Sequence, residues 1–262
     1  MKKIFTFIAV ALCAMSANAQ EKLIFENGGT YTDGQELTTT STKLTLGIDK
    51  KKAQYDVKVS NSNAAISDLS VLMMVENSET GEMEEKERAV YISGGNNPKD
   101  DNGGGYKPAS ANVPTNGTYY IITPSKNGKI HAGIVLNASK GFYVVKSNGE
   151  CLAPNTEYCL KGADSEGNVI DITLNESYQI EEKLTGAVEF DVVANESYYV
   201  FCGGSKLGFF GYTFTESSSD GISSAVAEKV AADAPAYNLA GQKVNDNFKG
   251  IVVKNGKKVV VK

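Results

Sequence analysis

The chain has 262 residues, with 26 basic and 31 acidic side chains, one histidine and a formal charge of −5. That balance argues against nucleic acid as a partner, because phosphate binding needs clustered cations and Arg88 is the only arginine. A single histidine, His131, leaves any imidazole-based catalytic set with one possible base, and no CxxC or Cys/His cluster supports zinc.

Residues 1–19 read as a cleavable signal peptide. Lys2 and Lys3 precede the apolar run "IFTFIAVALCAM", and Ala17-Asn18-Ala19 fits the small-x-small cleavage rule. The run is too short for a membrane anchor, which needs about 20 apolar residues. Nothing later in the chain reads as a transmembrane segment. The expected location is therefore secreted or on the outer cell surface, with the periplasm as the fallback. Cleavage removes two lysines and no acid, leaving a formal −7. Residues 235–262 carry six lysines and one aspartate, so residues 20–234 hold a formal −12.

Between 20 and 216 the chain reads as short strands separated by turn residues. Candidates in order are 43–48, 55–60, 70–75, 89–93, 118–123, 129–136, 142–146, 169–174, 186–193, 197–202 and 207–214. "YDVKVS" shows the pattern, with Tyr55, Val57 and Val59 on one face and Asp56 and Lys58 on the other. No convincing helix of core length appears, and "ETGEMEEKERAV" reads as a charged hairpin end. The expected fold is all-β: an antiparallel β-sandwich of jelly-roll type over 20–216, a Ser/Ala linker over 217–234, and a small C-terminal β-hairpin within 235–262. Asn127-Gly128, Asn148-Gly149 and Asn255-Gly256 predict tight type I′ turns, which need positive φ at their centre. The final hairpin alternates Val and Lys and, being marginal alone, needs a partner surface.

Residues 93–117 form a long connection rich in Gly, Asn and Asp. Asn96 and Asn97 are candidate ligand-binding amides, with Tyr106 as an aromatic neighbour. Asp100, Asp101 and Asn102 are candidate ligands for a structural calcium, although their spacing does not match an EF-hand loop. No other cofactor is expected.

The last two body strands carry apolar residues on both faces, where a sandwich strand needs only one. In "SYYVFC" the second face holds Tyr199 and Phe201. In "LGFFGYTF" one face is Leu207, Phe209 and Thr213, and the other Phe210, Tyr212 and Phe214. Either a loop or the tail covers these second faces, or Tyr199, Phe201, Phe210 and Tyr212 form an exposed aromatic platform suited to the apolar face of a sugar. His131 sits on a strand whose opposite face is Ile130, Ala132 and Ile134, and reads as a strand histidine with ordinary partners. Carboxylates are plentiful, but none forms a recognisable acid pair. The three mature cysteines, an odd count, leave at least one thiol free or paired between chains. Cys151 and Cys159 close a small loop, or all three are buried thiols.

Two resemblances add to this. "YNLAGQKV", then "KGI" and the Lys/Val-rich end, resemble the C-terminal sorting segment of proteins exported by the type IX secretion system of certain Gram-negative bacteria. The matching positions are Tyr237, Leu239, Gly241, Gln242, Val244, Lys249, Gly250 and the strand after Asn255-Gly256, while Val252 stands where the family often has an aromatic. The resemblance implies that the export machinery is a partner. Residues 90–215, with "GTYYIITPSKNGKIHAGIVLNASKGFYVV" and "GAVEFDVVANESYYVFCGGSKLGFFGYTF", resemble a β-sandwich module of exported proteins in the same bacteria, often found beside polysaccharide-degrading domains. It implies a non-catalytic, carbohydrate-binding-like domain. The functional expectation is a polysaccharide- or glycan-binding module. The alternatives are a structural or adhesive protein that binds surface proteins, and a small polysaccharide-active enzyme.

Overall fold

The computed structural model describes residues 20–100, 113–217, 236–238, 242–244, 248–254 and 257–261. Residues 1–19, where a signal peptide was expected, most of the expected linker, and Asp101, Asn102, Tyr106, Gly241, Asn255 and Gly256 lie outside them. The chain divides into two compact units, residues 1–218 and 219–262.

Among the described residues of the first unit there are fourteen strands: β1 (Gln20–Ile24), β2 (Glu36–Thr38), β3 (Thr42–Leu46), β4 (Asp56–Asn61), β5 (Val71–Glu76), β6 (Met83–Ser93), β7 (Tyr119–Pro124), β8 (Gly128–Leu136), β9 (Gly141–Lys146), β10 (Tyr158–Ala163), β11 (Val169–Ile172), β12 (Leu184–Val192), β13 (Tyr198–Gly203) and β14 (Gly208–Glu216). A 3₁₀ helix, Ala64–Leu69, precedes β5. The strands form two antiparallel sheets. The large one runs β11-β10-β12-β8-β14-β6-β4, with β1 on β14 and β5 on β6; the small one runs β2-β3-β7-β13-β9. From β7 to β10, and again from β12 to β14, the chain passes from sheet to sheet, the alternation that jelly-roll connections use.

One core lies between the sheets. Leu44, Leu46, Tyr120, Ile122, Phe142, Val144, Tyr198 and Val200 from the small sheet meet Ile130, Ala132, Ile134, Leu160, Val188 and Phe190 from the large one. These positions alternate along each strand, as a pleated strand dictates. Tyrosines buried here keep their hydroxyls bonded: Tyr120 donates to the Ile92 and Leu207 carbonyls, and Tyr158 to that of Phe142. Burial without a paired polar tip would cost roughly 1–3 kcal/mol each.

Three expectations need correction. The Asn127-Gly128 link joins β7 and β8, which belong to different sheets, so it is a crossover and not a hairpin. At Asn148-Gly149 the chain does reverse, with Gly149 donating to the Lys146 carbonyl and Val145 facing Cys151. Only Gly149 takes positive φ (88°), so the turn is not type I′. Strands β1, β2 and β10 were invisible to the alternation test, because the first two are short or polar and "YCLKGA" mixes a lysine and a glycine into its pattern.

The second unit is a four-stranded antiparallel sheet, β16-β15-β17-β18, built from β15 (Ala236–Asn238), β16 (Lys243–Val244), β17 (Gly250–Lys254) and β18 (Lys257–Val261). The expected hairpin strands are β17 and β18, which pair antiparallel with Lys254 opposite Lys257. The pair's need for a partner is met by β15, which pairs with β17 over Ala236–Asn238. Tyr237 is exposed, whereas Val252 is buried. Gln242 donates its backbone N–H to Asn238 Oδ1 at 3.0 Å and accepts from Asn238 Nδ2 at 3.0 Å, closing the β15–β16 turn.

Candidate functional site: a polar cleft on the large sheet

A β-bulge decides which residues reach the outer face of the large sheet. In the β14–β8 ladder Phe209 faces Ile134 and Gly211 faces Gly133, leaving Phe210 as an extra residue. The extra residue flips the side-chain phase. Leu207, Phe209, Tyr212 and Phe214 therefore all enter the core, and Phe210 and Thr213 point outward. Gly211 makes the bulge possible: its φ is +93°, and a Cβ there would lie 2.0 Å from the Leu23 carbonyl oxygen. The face assignment expected for "LGFFGYTF" is thus wrong from Gly211 onward.

Phe210 does not stay bare. The 3₁₀ helix crosses the outer face and packs Ile66 and Leu69 against Phe210, Ala89 and Ala187. Asn63 fixes it at its start, accepting from the Ala65 N–H at 3.0 Å and donating to the Thr185 carbonyl of β12 at 2.9 Å. Beside the helix the sheet turns polar. Strand register lines Thr213, His131 and Glu189 in one row across β14, β8 and β12, and Thr215, Lys129 and Asp191 in the next. Between these rows and the helix lies an open cleft of about 340 Å³, lined by Gln20, Ser67, Asp68, Lys129, His131, Glu189, Thr213 and Thr215, with Ala64, Ala65 and Val169 supplying apolar contact. Its size is at the lower end of small-molecule sites, roughly 300–1,000 Å³.

His131 anchors the cleft. Its Nδ1 is 3.1 Å from Glu189 Oε1; its Nε2 is 3.0 Å from the Ala65 carbonyl oxygen and 3.5 Å from Asp68 Oδ1. A carbonyl only accepts, so Nε2 donates to Ala65, while Nδ1 lies against a carboxylate oxygen of Glu189. The ring is thus held from both sides. Asp68 Oδ2 accepts from the Thr213 hydroxyl at 3.3 Å, which itself accepts from Gln20 Nε2 at 3.0 Å. Glu189 Oε2 also lies 3.8 Å from Lys161 Nζ. The Lys161 ammonium pairs with Asp171 at 2.5 Å, and that hydrogen bond leads in raising its pKa above the ordinary lysine value. The cleft presents acceptors and donors on several sides of one volume.

The residues expected to bind ligand do not assemble. Phe201, Phe210 and Tyr212 are fully buried, so they are not a platform: Tyr212 bonds the Thr42 hydroxyl at 2.7 Å, and Phe201 belongs to a second aromatic cluster. That cluster lies on the outer face of the small sheet. Tyr119 stacks on Tyr199 at 6.0 Å, and Tyr143 packs on Phe201 and Tyr178, each at 5.5 Å. Val113, Ile121, Cys151, Tyr178 and Tyr199 close its rim, and Tyr199 stays half-buried. Asn96 is spent structurally. Its N–H and Nδ2 donate to the two carboxylate oxygens of buried Asp49, at 2.7 and 2.8 Å, and its carbonyl accepts from the Thr118 N–H and hydroxyl. The Gly95 N–H also donates to Asp49. Asn97 is exposed and Asp100 half-buried. Among the described residues no three His, Cys, Asp or Glu are grouped to hold a metal ion.

Of the two cysteine alternatives, the structure shows free thiols at Cys151, Cys159 and Cys202. Burial pushes Cys151 up to about 11 and Cys202 up to about 12, so both behave as small apolar side chains. Sequence reasoning missed Asp68, Lys129, Glu189 and Thr213. The outward alternation of Lys129 and Glu189 was visible, but the bulge that turns Thr213 outward, the cross-strand register and the helix that carries Asp68 were not. No family model matches the chain, and no curated protein matches it.

Proposed function

We propose that the protein is an exported, non-catalytic binding module for polysaccharide or glycan, and that it takes its ligand in the cleft around His131. The observation that carries this is the convergence of Gln20, Asp68, Lys129, His131, Glu189 and Thr213 on one open volume with small apolar contacts at its wall. A sugar is recognised by such a mixture, with carboxylates and amides on its hydroxyls and C–H faces against methyl groups. The tethered imidazole supports binding over chemistry, because a general base needs a free lone pair aimed at its substrate. Export rests on the signal-like segment 1–19 and on the resemblance of 235–262 to sorting tails, which makes the secretion machinery a second partner.

Affinity electrophoresis of residues 20–262 through gels cast with plant and host polysaccharides tests the binding. Retardation by at least one polysaccharide, lost in Asp68→Ala and in His131→Ala, is the expected result; free migration in every gel refutes it. Fusing residues 217–262 to a reporter in a type IX-competent cell tests export, and a reporter held in the periplasm refutes that part.

A further inference from the structure

We infer that the β5–β6 hairpin is a docking edge for an extended, lysine- or arginine-bearing segment of a partner protein, separate from the cleft. The ladder pairs Leu72 with Glu87, Met74 with Glu85 and Glu76 with Met83, so these six side chains share one face. That face points to water: Leu72 is 65 %, Met74 55 % and Met83 56 % exposed. The opposite face is half-buried along its length, and Met73 there packs on the main core, so the hairpin is held from behind. Three large apolar side chains adjoining on two paired strands form a patch, unlike the scattered single residues that any surface carries.

Charge selects the occupant. Residues 71–88 contain six glutamates and two basic side chains. Both basic groups are drawn away from the outer face: Lys86 pairs with Glu84 on the inner side, and Arg88 Nη1 donates to the Glu87 carbonyl at 3.0 Å. The outer face therefore offers Glu76, Glu85 and Glu87 among Leu72, Met74 and Met83, with no cation of its own. Among the described residues β5 has a ladder partner on one edge only, β6, which leaves its other backbone edge open to strand addition. Methionines make such a surface adaptable. The complement is a strand bonded along β5 whose alternate residues are apolar and cationic: the cationic side chains lie on the outer face, their methylene stems over Leu72 and Met74 and their charged heads toward Glu76, Glu85 and Glu87, and the apolar ones on the other.

The test uses residues 20–262 and fluorescein-labelled octapeptides, read by anisotropy. A Lys–Val alternating peptide is expected to bind and to release as salt rises. A Glu–Val peptide, and a Lys–Val peptide N-methylated on alternate amides, are expected not to bind. The exposed double variant Leu72→Lys with Met74→Lys should weaken the Lys–Val peptide about tenfold or more, the size lost with an interface anchor. Hydrogen exchange on the unaltered protein gives a readout without any variant: peptide should protect amides within 71–76. Equal binding of the Glu–Val or N-methylated peptide, unchanged affinity in the double variant, or protection elsewhere in place of β5 overturns the inference.

Discussion

The outer faces of the two sheets begin from the same sequence signal and end differently. Each has a strand with apolar residues on both sides, β13 in the small sheet and β14 in the large one. On the small sheet the surplus rings satisfy one another, Tyr119 on Tyr199 and Tyr143 on Phe201, and loop residues such as Tyr178 close the rim. On the large sheet a bulge confines the surplus to Phe210, a helix covers it, and the strand ends past the bulge are left free for polar rows. A doubly apolar strand does not announce a platform. The open polar cleft lies where the covering element stops short.

That contrast can be broken most severely at the bulge. Gly211→Ala places a Cβ against the Leu23 carbonyl and strains a φ of +93°, so a loss of about 3 kcal/mol or more is expected, with β1 displaced. Thermal unfolding, with hydrogen exchange over 20–24, checks both. Next come the two coverings. Phe201→Ala should cost about 3–4 kcal/mol and Leu69→Ala about 2–3 kcal/mol, by denaturant titration. Only Leu69→Ala should also weaken polysaccharide retention, because it loosens the helix that carries Asp68. Equal effects on retention would erase the distinction between the faces.

A smaller effect concerns Glu21 on β1, which ties the large sheet to the β2–β3 turn by accepting from the Ser41 N–H at 2.9 Å and from the Thr39 hydroxyl. Burial by itself raises its pKa, but the hydrogen bonds from Ser41 and Thr39 outweigh it and hold the carboxyl below its ordinary value. The folded state then binds that proton less tightly than the unfolded chain. The contribution is complete above the ordinary carboxylate range and fades as pH falls through the lower, folded value. Glu21→Gln should cost about 1 kcal/mol at neutral pH and less in acid, measured by urea unfolding across pH. The smallest expected effect is chemical. Cys202, buried on the core side of β13, should resist alkylation at pH 8 in the native state and react fully in denaturant.

Much of the sandwich was legible because alternation is local. "KIHAGIVL" disclosed its inner face through Ile130, Ala132 and Ile134 without any knowledge of partners. What stayed hidden depends on contacts between distant segments. The flip at Phe210 follows from β14 meeting β8 and β1, the fixing of the 93–100 segment by Asp49 spans more than forty residues, and the row Thr213–His131–Glu189 exists only once three strands are in register. The aromatic residues drew attention as ligand contacts because rings are conspicuous in sequence. In the fold most of them are structural, and the cleft is built from ordinary polar side chains.

The most direct test of the central claim is an NMR titration of ¹⁵N-labelled residues 20–262 with an oligosaccharide from a polysaccharide that retards the protein. Amide shifts clustered at Ala65, Asp68, His131, Glu189 and Thr213 are the predicted result. Shifts clustered instead at Tyr119, Tyr178 and Tyr199 would place the ligand on the other sheet and contradict the account.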